Sequence, residues 1–200
     1  MFPMIPLPSF ETERLLLRPL KRSDAKAIFD YSWRDDVGPR AGWAPHQSIK
    51  DTKRFIEYAL SKPARKQPGV YAVILKAEKR LIGTMEIHSL FEGYKAEIGM
   101  VCHPAYQNRG YMHEASKAAM VYAFEYLKLR RLGYSHYPDN KPSERLREKL
   151  GFTYEGTLRN FHKRYDGQIV DFVTSSFTDD DYLKHYDSVF EPFKKTLTVK

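Results

Sequence analysis

The 200-residue chain holds a single cysteine, Cys102, which excludes an internal disulfide and any cysteine-built zinc cluster and suits a reducing, cytoplasmic compartment. No stretch approaches eighteen uninterrupted apolar residues, so neither a membrane-spanning helix nor a membrane partner is expected. Met1 to Phe10 carries three prolines and no basic segment ahead of an apolar run; it reads as an N-terminal arm, not a signal peptide. Internal repeats and low-complexity segments are also missing, which excludes solenoids and linkers. Acids are in the minority: 25 Asp+Glu against 33 Lys+Arg leave a net charge of +8 and a pI near 9.4. That excess favours anionic partners such as coenzyme phosphates, acidic protein or RNA-rich particles. The basic residues are spread rather than striped, so nucleic acid is not expected as the main partner.

What is present supports one packed domain. Hydrophobic residues at 42% and aromatics at 14% are ample for a core, and 200 residues fit one domain better than two. Arg14 to Leu17 reads as a strand, and Ser23 as the cap of a helix through about Tyr31. A loop rich in Gly, Pro and Trp runs from Trp33 to Gln47, after which Ser48 and Asp51 open a second helix. Val70 to Ala77, Leu81 to Leu90 and Ala96 to Val101 read as three strands separated by charged or glycine turns. A long helix to about Leu127, a strand over Arg131 to Tyr137, a short helix to Leu150 and a strand from Phe152 follow. Asp166-Gly167 marks a hairpin, and Thr178 with three aspartates caps a last helix. Residues 11–188 form the domain on this reading; residues 189–200, chiefly Glu191 to Lys200, form a loose tail. The order predicts an α/β fold, a mixed and mostly antiparallel sheet with helices on both faces.

The most informative stretch is His103 to Ala115, which links an apolar strand to the long helix. A short glycine-containing loop before a helix leaves several backbone N–H groups free and pointing one way, at the positive end of the helix dipole. Gly110 lets the backbone approach a phosphate closely, and Arg109 adds a full positive charge. Taken alone, this is also what an ordinary strand-to-helix turn looks like.

The residues downstream give the loop a context. Asn140 and Ser143 are followed by Lys149-Leu150-Gly151-Phe152 and then Glu155-Gly156, while Glu13-Arg14-Leu15-Leu16-Leu17-Arg18-Pro19 opens the chain. With the loop, these segments resemble the GNAT acyl-CoA N-acetyltransferases, and within them the ribosomal-protein N-terminal acetyltransferases. The family's loop, Gln/Arg-x-x-Gly-x-Gly/Ala, is matched by Gln107 and Gly110 but not by Met112. The resemblance runs from about Thr12 to Phe177 and rests on three motifs in order. It implies a single domain whose central strands splay apart to admit acetyl-CoA, the co-substrate. It further implies that Met100, Val101 and Cys102 pair through their backbone with the coenzyme arm. By the same resemblance Gln107, Asn108, Arg109, Gly110, Tyr111 and Met112 hold its phosphates, and Asn140 hydrogen-bonds the arm.

Acetyl transfer from a thioester to an amine needs a held coenzyme, a polarised carbonyl, a deprotonated amine and a protonated leaving thiolate. It needs no metal, and none is expected here: His113-Glu114 begins like a zincin motif, but Lys117 stands where its second histidine belongs. For the base, His162 is the favourite, because histidine titrates near neutrality and the resemblance puts the acceptor pocket after Glu155-Gly156. Glu97, Glu86 and His88 are the rivals, the last two sharing a strand face by period two. Ser143 either protonates the thiolate or caps the short helix, and Asn140 by itself reads equally as a turn residue. Trp33, Trp43, Pro45 and His46 either line a slot for a peptide N-terminus or close the core beneath their loop. The expected activity is transfer of an acetyl group to a primary amine, a protein N-terminus first, with a ribosomal protein as one such partner. A polyamine or antibiotic acceptor, or a silent coenzyme-binding domain, is the alternative, and a homodimer is compatible with either.

Overall fold

The computed structural model describes residues 7–200, so most of the N-terminal arm lies outside the described residues. In chain order the elements are β1 (Phe10–Glu11), β2 (Leu15–Pro19), α1 (Ala25–Ser32), α2 (Ile49–Ser61), β3 (Gly69–Leu75), β4 (Arg80–Phe91) and β5 (Lys95–Cys102). There follow α3 (Tyr111–Val121), β6 (Arg131–His136), α4 (Lys141–Lys149), β7 (Thr153–Lys163), β8 (Ile169–Thr178), α5 (Asp179–Lys184), α6 (Glu191–Lys194) and β9 (Thr198–Val199).

The local causes are those visible in the chain. Ser48 and Asp51 close a reciprocal capping box on α2, and Thr178 with Asp181 does the same on α5. At α1 a short 3₁₀ turn, Arg22–Asp24, comes first, and Asp24 rather than Ser23 holds the entry by accepting from the Lys21 N–H and Arg18. Ala115, Ala118 and Ala119 share one side of α3 and are essentially fully buried, so the helix axis lies close to the sheet. One π-helical turn, Tyr122–Tyr126, finishes that helix.

All the strands join one sheet in the order β7-β8-β6-β5-β4-β3-β2-β1-β9. Every pairing is antiparallel except β5 with β6. The sheet divides two cores. On one face Leu15, Leu17, Tyr71, Met85 and Ile98 pack with α3 and the C-terminal helices. On the other, Val70, Ala72 and Leu81 pack with Ile28 and Tyr31 of α1 and Ile56 and Ala59 of α2. This agrees with the expected mixed sheet covered on both faces.

The C-terminal segment departs from the sequence expectation. Glu191 to Lys200 does not trail as a loose tail: Phe190 and Phe193 are 2% and 8% exposed, and β9 adds to the sheet edge against β1. Ser9 and Lys200 exchange both backbone hydrogen bonds, each 2.9 Å long. Two phenylalanines three residues apart lie on one side of a helical turn, and burying them outweighs the high local charge. Phe193→Ala is therefore expected to cost about 3 kcal/mol in urea unfolding, whereas truncating a side chain on a loose tail would change stability by less than about 0.5 kcal/mol.

Candidate active site

The site begins where two strands part. β5 and β6 pair in parallel over Lys95–Arg131, Ala96–Leu132 and Glu97–Gly133, and then separate. From Ile98 onward the side of β5 facing β6 meets no strand, while its other edge stays paired with β4 as far as Gly83–Cys102. A β carbon on Gly83 would stand 2.2 Å from the Val101 carbonyl oxygen, so glycine is required for β4 to follow β5 this far.

Past Cys102 the chain turns through a short 3₁₀ segment capped by His103, whose Nδ1 accepts from the Ala105 N–H. Gln107 donates from Nε2 to the Cys102 carbonyl at 3.3 Å. Asn108 and Gly110 then adopt left-handed φ values of +60° and +78°, and α3 starts at Tyr111. The Tyr111, Met112 and His113 N–H groups in its first turn have no acceptor among the described residues. Met112, the departure from the family's small residue, is buried, and its Cε lies 3.1 Å from where a β carbon on Gly83 would stand. Arg109 turns its guanidinium onto the Tyr106 ring, 5.6 Å from the centroid, and does not border the cavity described below.

A buried carboxylate holds this loop to the start of the chain. Glu114, in the first turn of α3, accepts from Thr12 Oγ1 (2.5 Å), the Arg14 N–H (3.0 Å) and Arg14 Nε (2.6 Å). Burial acts to raise its pKa, but the hydrogen bonds from Thr12 and Arg14 together with the Arg14 charge bring it below the usual range.

On the far side of the gap stands α4. Its N-cap is Asn140, whose Oδ1 accepts from the Ser143 N–H at 3.2 Å while Nδ2 donates to the Arg40 carbonyl at 3.0 Å. The capping role thus belongs to Asn140 and not to Ser143, whose hydroxyl pairs with Tyr134 at 2.7 Å. The Arg40 contact also ties α4 to the loop between α1 and α2. In that loop Gly42 sits against Tyr137, and His46 Nδ1 shares hydrogen bonds with Ser32 (2.9 Å) and Thr52 (2.8 Å).

These pieces enclose one cavity of about 830 Å³. Its wall includes Met100, Val101, Cys102, Gln107, Asn108, Gly110, Tyr111, Met112, Asn140 and Ser143 on the coenzyme side as assigned above. Glu86, His88, Glu97 and His162 border the same space, so every base candidate is brought to it. Trp43 and His46 line it too, whereas Trp33 is 53% exposed and Pro45 is not in the wall. Glu86 is ion-paired to the buried Lys62. His162 stacks on Phe172, with centroids 5.6 Å and planes 18° apart, and lies beside Tyr137. Burial pushes the Cys102 thiol up to about 12, so it stays protonated and is no nucleophile at neutral pH. Glu155 is outside the cavity, held by Arg131 and Ser176.

Sequence reasoning missed His136 and Tyr137, both in the cavity wall. His136 is 4% exposed, its Nδ1 lies 2.8 Å from the Tyr137 carbonyl and its Nε2 has no partner among the described residues. A ring nitrogen facing a carbonyl must carry the proton, which leaves Nε2 with a lone pair when the ring is neutral. The sequence signal was a histidine one residue short of the expected strand end.

A sequence profile for the acetyltransferase (GNAT) domain matches residues 14–153. The chain belongs to the GNAT acetyltransferase family. The Bacillus subtilis protein named uncharacterized N-acetyltransferase YnaD is 34% identical over 74% of this chain and 84% of its own length. The Escherichia coli spermidine N(1)-acetyltransferase is 26% identical over 71% of this chain and 74% of its own. A solved structure titled ribosomal-protein-S5-alanine acetyltransferase, from Vibrio fischeri, superposes with a TM-score of 0.71 at 25% identity, covering 87% of this chain and 98% of that one. The GNAT family uses acetyl-CoA as co-substrate, and this acetyltransferase has the form such a molecule needs. The one-sided backbone of β5 suits amide groups along an arm, and the left-handed Gly110 ahead of unpartnered N–H groups suits a diphosphate.

Burial holds His46 below the ordinary histidine range, and burial with the nearby Lys117 and Lys149 charges does the same for His113. In the unfolded chain both protonate near pH 6.5, so the unfolded state binds more protons below that point. Stability of this acetyltransferase is therefore full above about pH 7 and falls as the pH drops through about 6.5. Melting curves between pH 8 and 5.5 should show that decline, with a shallower slope in His46→Gln.

Proposed function

We propose that this enzyme acetylates a protein or peptide N-terminal amine, using Glu97 to attract the ammonium and His162 to take its proton. The observation that carries this reading is the charge inventory of the cavity. Of its three carboxylates, Asp36 is paired with Arg34 and Glu86 with Lys62, which leaves Glu97 as the wall carboxylate without an ion pair among the described residues. Arg40 borders the same space. One unpaired acid in a wall that also carries Arg40, Arg145 and Lys149 suits a single ammonium and disfavours a polyamine, whose further charges would meet those cations. The aromatic wall of Trp43, Tyr137 and Phe172 offers apolar contact to the residues behind an N-terminus.

Acetyl-CoA supplies the activated acyl group when bound. The first-turn N–H groups of α3 and the turn at Gly110 bind its phosphates, and Met100 to Cys102 align its arm. Glu97 is the last residue of β5 paired with β6, at the apex of the gap and directly across from His88. An amine held there has its lone pair freed when His162 accepts the proton from nitrogen. The Ser143 hydroxyl, shared with Tyr134, would protonate the departing thiolate and be restored by the second proton that the nitrogen sheds as the amide forms. The loop 33–47, tied to α4 through Asn140, screens the amine from water and keeps acceptor and coenzyme in register. The lone cysteine supports a cytoplasmic setting, and a ribosomal protein is one acceptor of the right chemistry.

Thiol release from acetyl-CoA, measured against peptides, polyamines and small antibiotics, tests the acceptor; turnover confined to a polyamine would overturn the peptide reading. Gly110→Val should abolish coenzyme binding in calorimetry, because a side chain at that left-handed position is strained and meets Arg14. Glu97→Gln should raise the KM for the amine about tenfold with kcat much less affected, as expected for losing one charge contact. His162→Gln should instead depress kcat at pH 7 and flatten the acid limb of the rate profile. An unshifted limb with normal kcat would remove His162 as the base.

A further inference from the structure

We infer that Arg14, in the lead into β2, is a positioning residue for the coenzyme loop, clamping it from outside the cavity; this rests on the coenzyme reading above. One side chain makes three separate attachments to the loop and the helix that follows. Its Nε donates to Glu114 Oε2 at 2.6 Å, its Nη1 donates to the Arg109 carbonyl at 3.1 Å, and its guanidinium lies 4.7 Å from the centre of the Tyr111 ring. The Arg109 carbonyl belongs to the peptide that enters Gly110, so this bond fixes the plane of the Gly110 N–H. The Arg14 N–H also donates to Glu114, and Thr12 completes the carboxylate's set, so the anchor is itself held by buried hydrogen bonds.

The shape of the guanidinium is what makes the clamp. Its donors lie in one plane at fixed angles, so that seating Nε on Glu114 sets where Nη1 can go. A lysine at position 14 would keep the positive charge but offers one nitrogen, which cannot reach Glu114 and the Arg109 carbonyl in that geometry at once. The remaining nitrogen, Nη2, lies 3.4 Å from where a β carbon on Gly110 would stand, so the clamp packs directly on the glycine. The Arg14 side chain is 43% exposed, but Glu114 is only 11% exposed, so the pair is not a loose surface contact. The start of the chain thereby governs a loop about a hundred residues away.

Arg14→Lys is the deciding variant. It should raise the dissociation constant for CoA about tenfold, the scale of one lost charge-assisted hydrogen bond. The KM for acetyl-CoA should rise in step while the KM for the amine stays within about twofold. Hydrogen exchange at amides 107–113 should quicken, with amides of the opposite core, on α1 and α2, unchanged. If Arg14→Lys melts out, Glu114→Gln takes its place, since it keeps the size of the anchor and removes its charge, and it should raise the CoA dissociation constant about threefold. Wild-type CoA affinity in the folded variant would overturn the clamp, and so would an equal rise in both KM values, which a general loss of stability would produce. Failure of the wild-type protein to bind CoA would instead overturn the coenzyme reading.

Discussion

A buried backbone group must find a hydrogen-bond partner, and the rest of this site is arranged around one place where the sheet does not supply it. Three parallel pairs join β5 to β6, and beyond Glu97 and Gly133 the strands diverge. The divergence turns the middle of a sheet, ordinarily its most closed part, into the opening of a cavity. It also explains why the walls come from both faces: α3 and α4 close one side of the gap, and the loop between α1 and α2 closes the other.

Keeping the gap open requires that its two sides be held independently of each other. On the β5 side, Glu114 ties α3 to Thr12 and Arg14. On the β6 side, Asn140 caps α4 and reaches the Arg40 carbonyl, while Tyr134 holds Ser143. Hydrogen bonds to a buried charge are worth about 1.5–3 kcal/mol each, against about 0–1 kcal/mol for exposed ion pairs such as Arg22–Glu57. On the β5 side the hydrogen bonds to the buried Glu114 therefore carry the geometry. In the wall itself Asn140, Ser143 and Tyr134 are hydrogen-bonded and Glu86 is ion-paired, whereas Glu97 has no ion pair among the described residues.

A carboxylate facing a cavity is an anion only to the extent that nothing else neutralises it, and Lys62 at Glu86 and Arg34 at Asp36 already do so. By sequence spacing Glu86 and Glu97 looked alike, since both lie on strands that border the site. Their difference comes from the residue that caps the C-terminus of α2, Lys62, which reaches one and not the other.

What the sequence determined by itself was most of what depends on neighbours along the chain. Alternation gave the strands, the Ser48–Asp51 and Thr178–Asp181 pairs gave helix starts, and Gly110 before an apolar period gave the loop and its helix, because each is a contact within a few residues. The motifs around Asn140 and Gly151 ordered those pieces into a family. The tertiary structure decided what depends on distant partners. Arg14 meets Glu114, Asn140 meets Arg40, and Phe193 is buried so that β9 can pair with β1, each across most of the chain. No local periodicity encodes such pairs, which is why the last ten residues read as a tail, why Ser143 reads as the possible cap and Asn140 only as a turn residue, and why the charge at the loop falls to Arg109 in the sequence while Arg14 holds the loop in place.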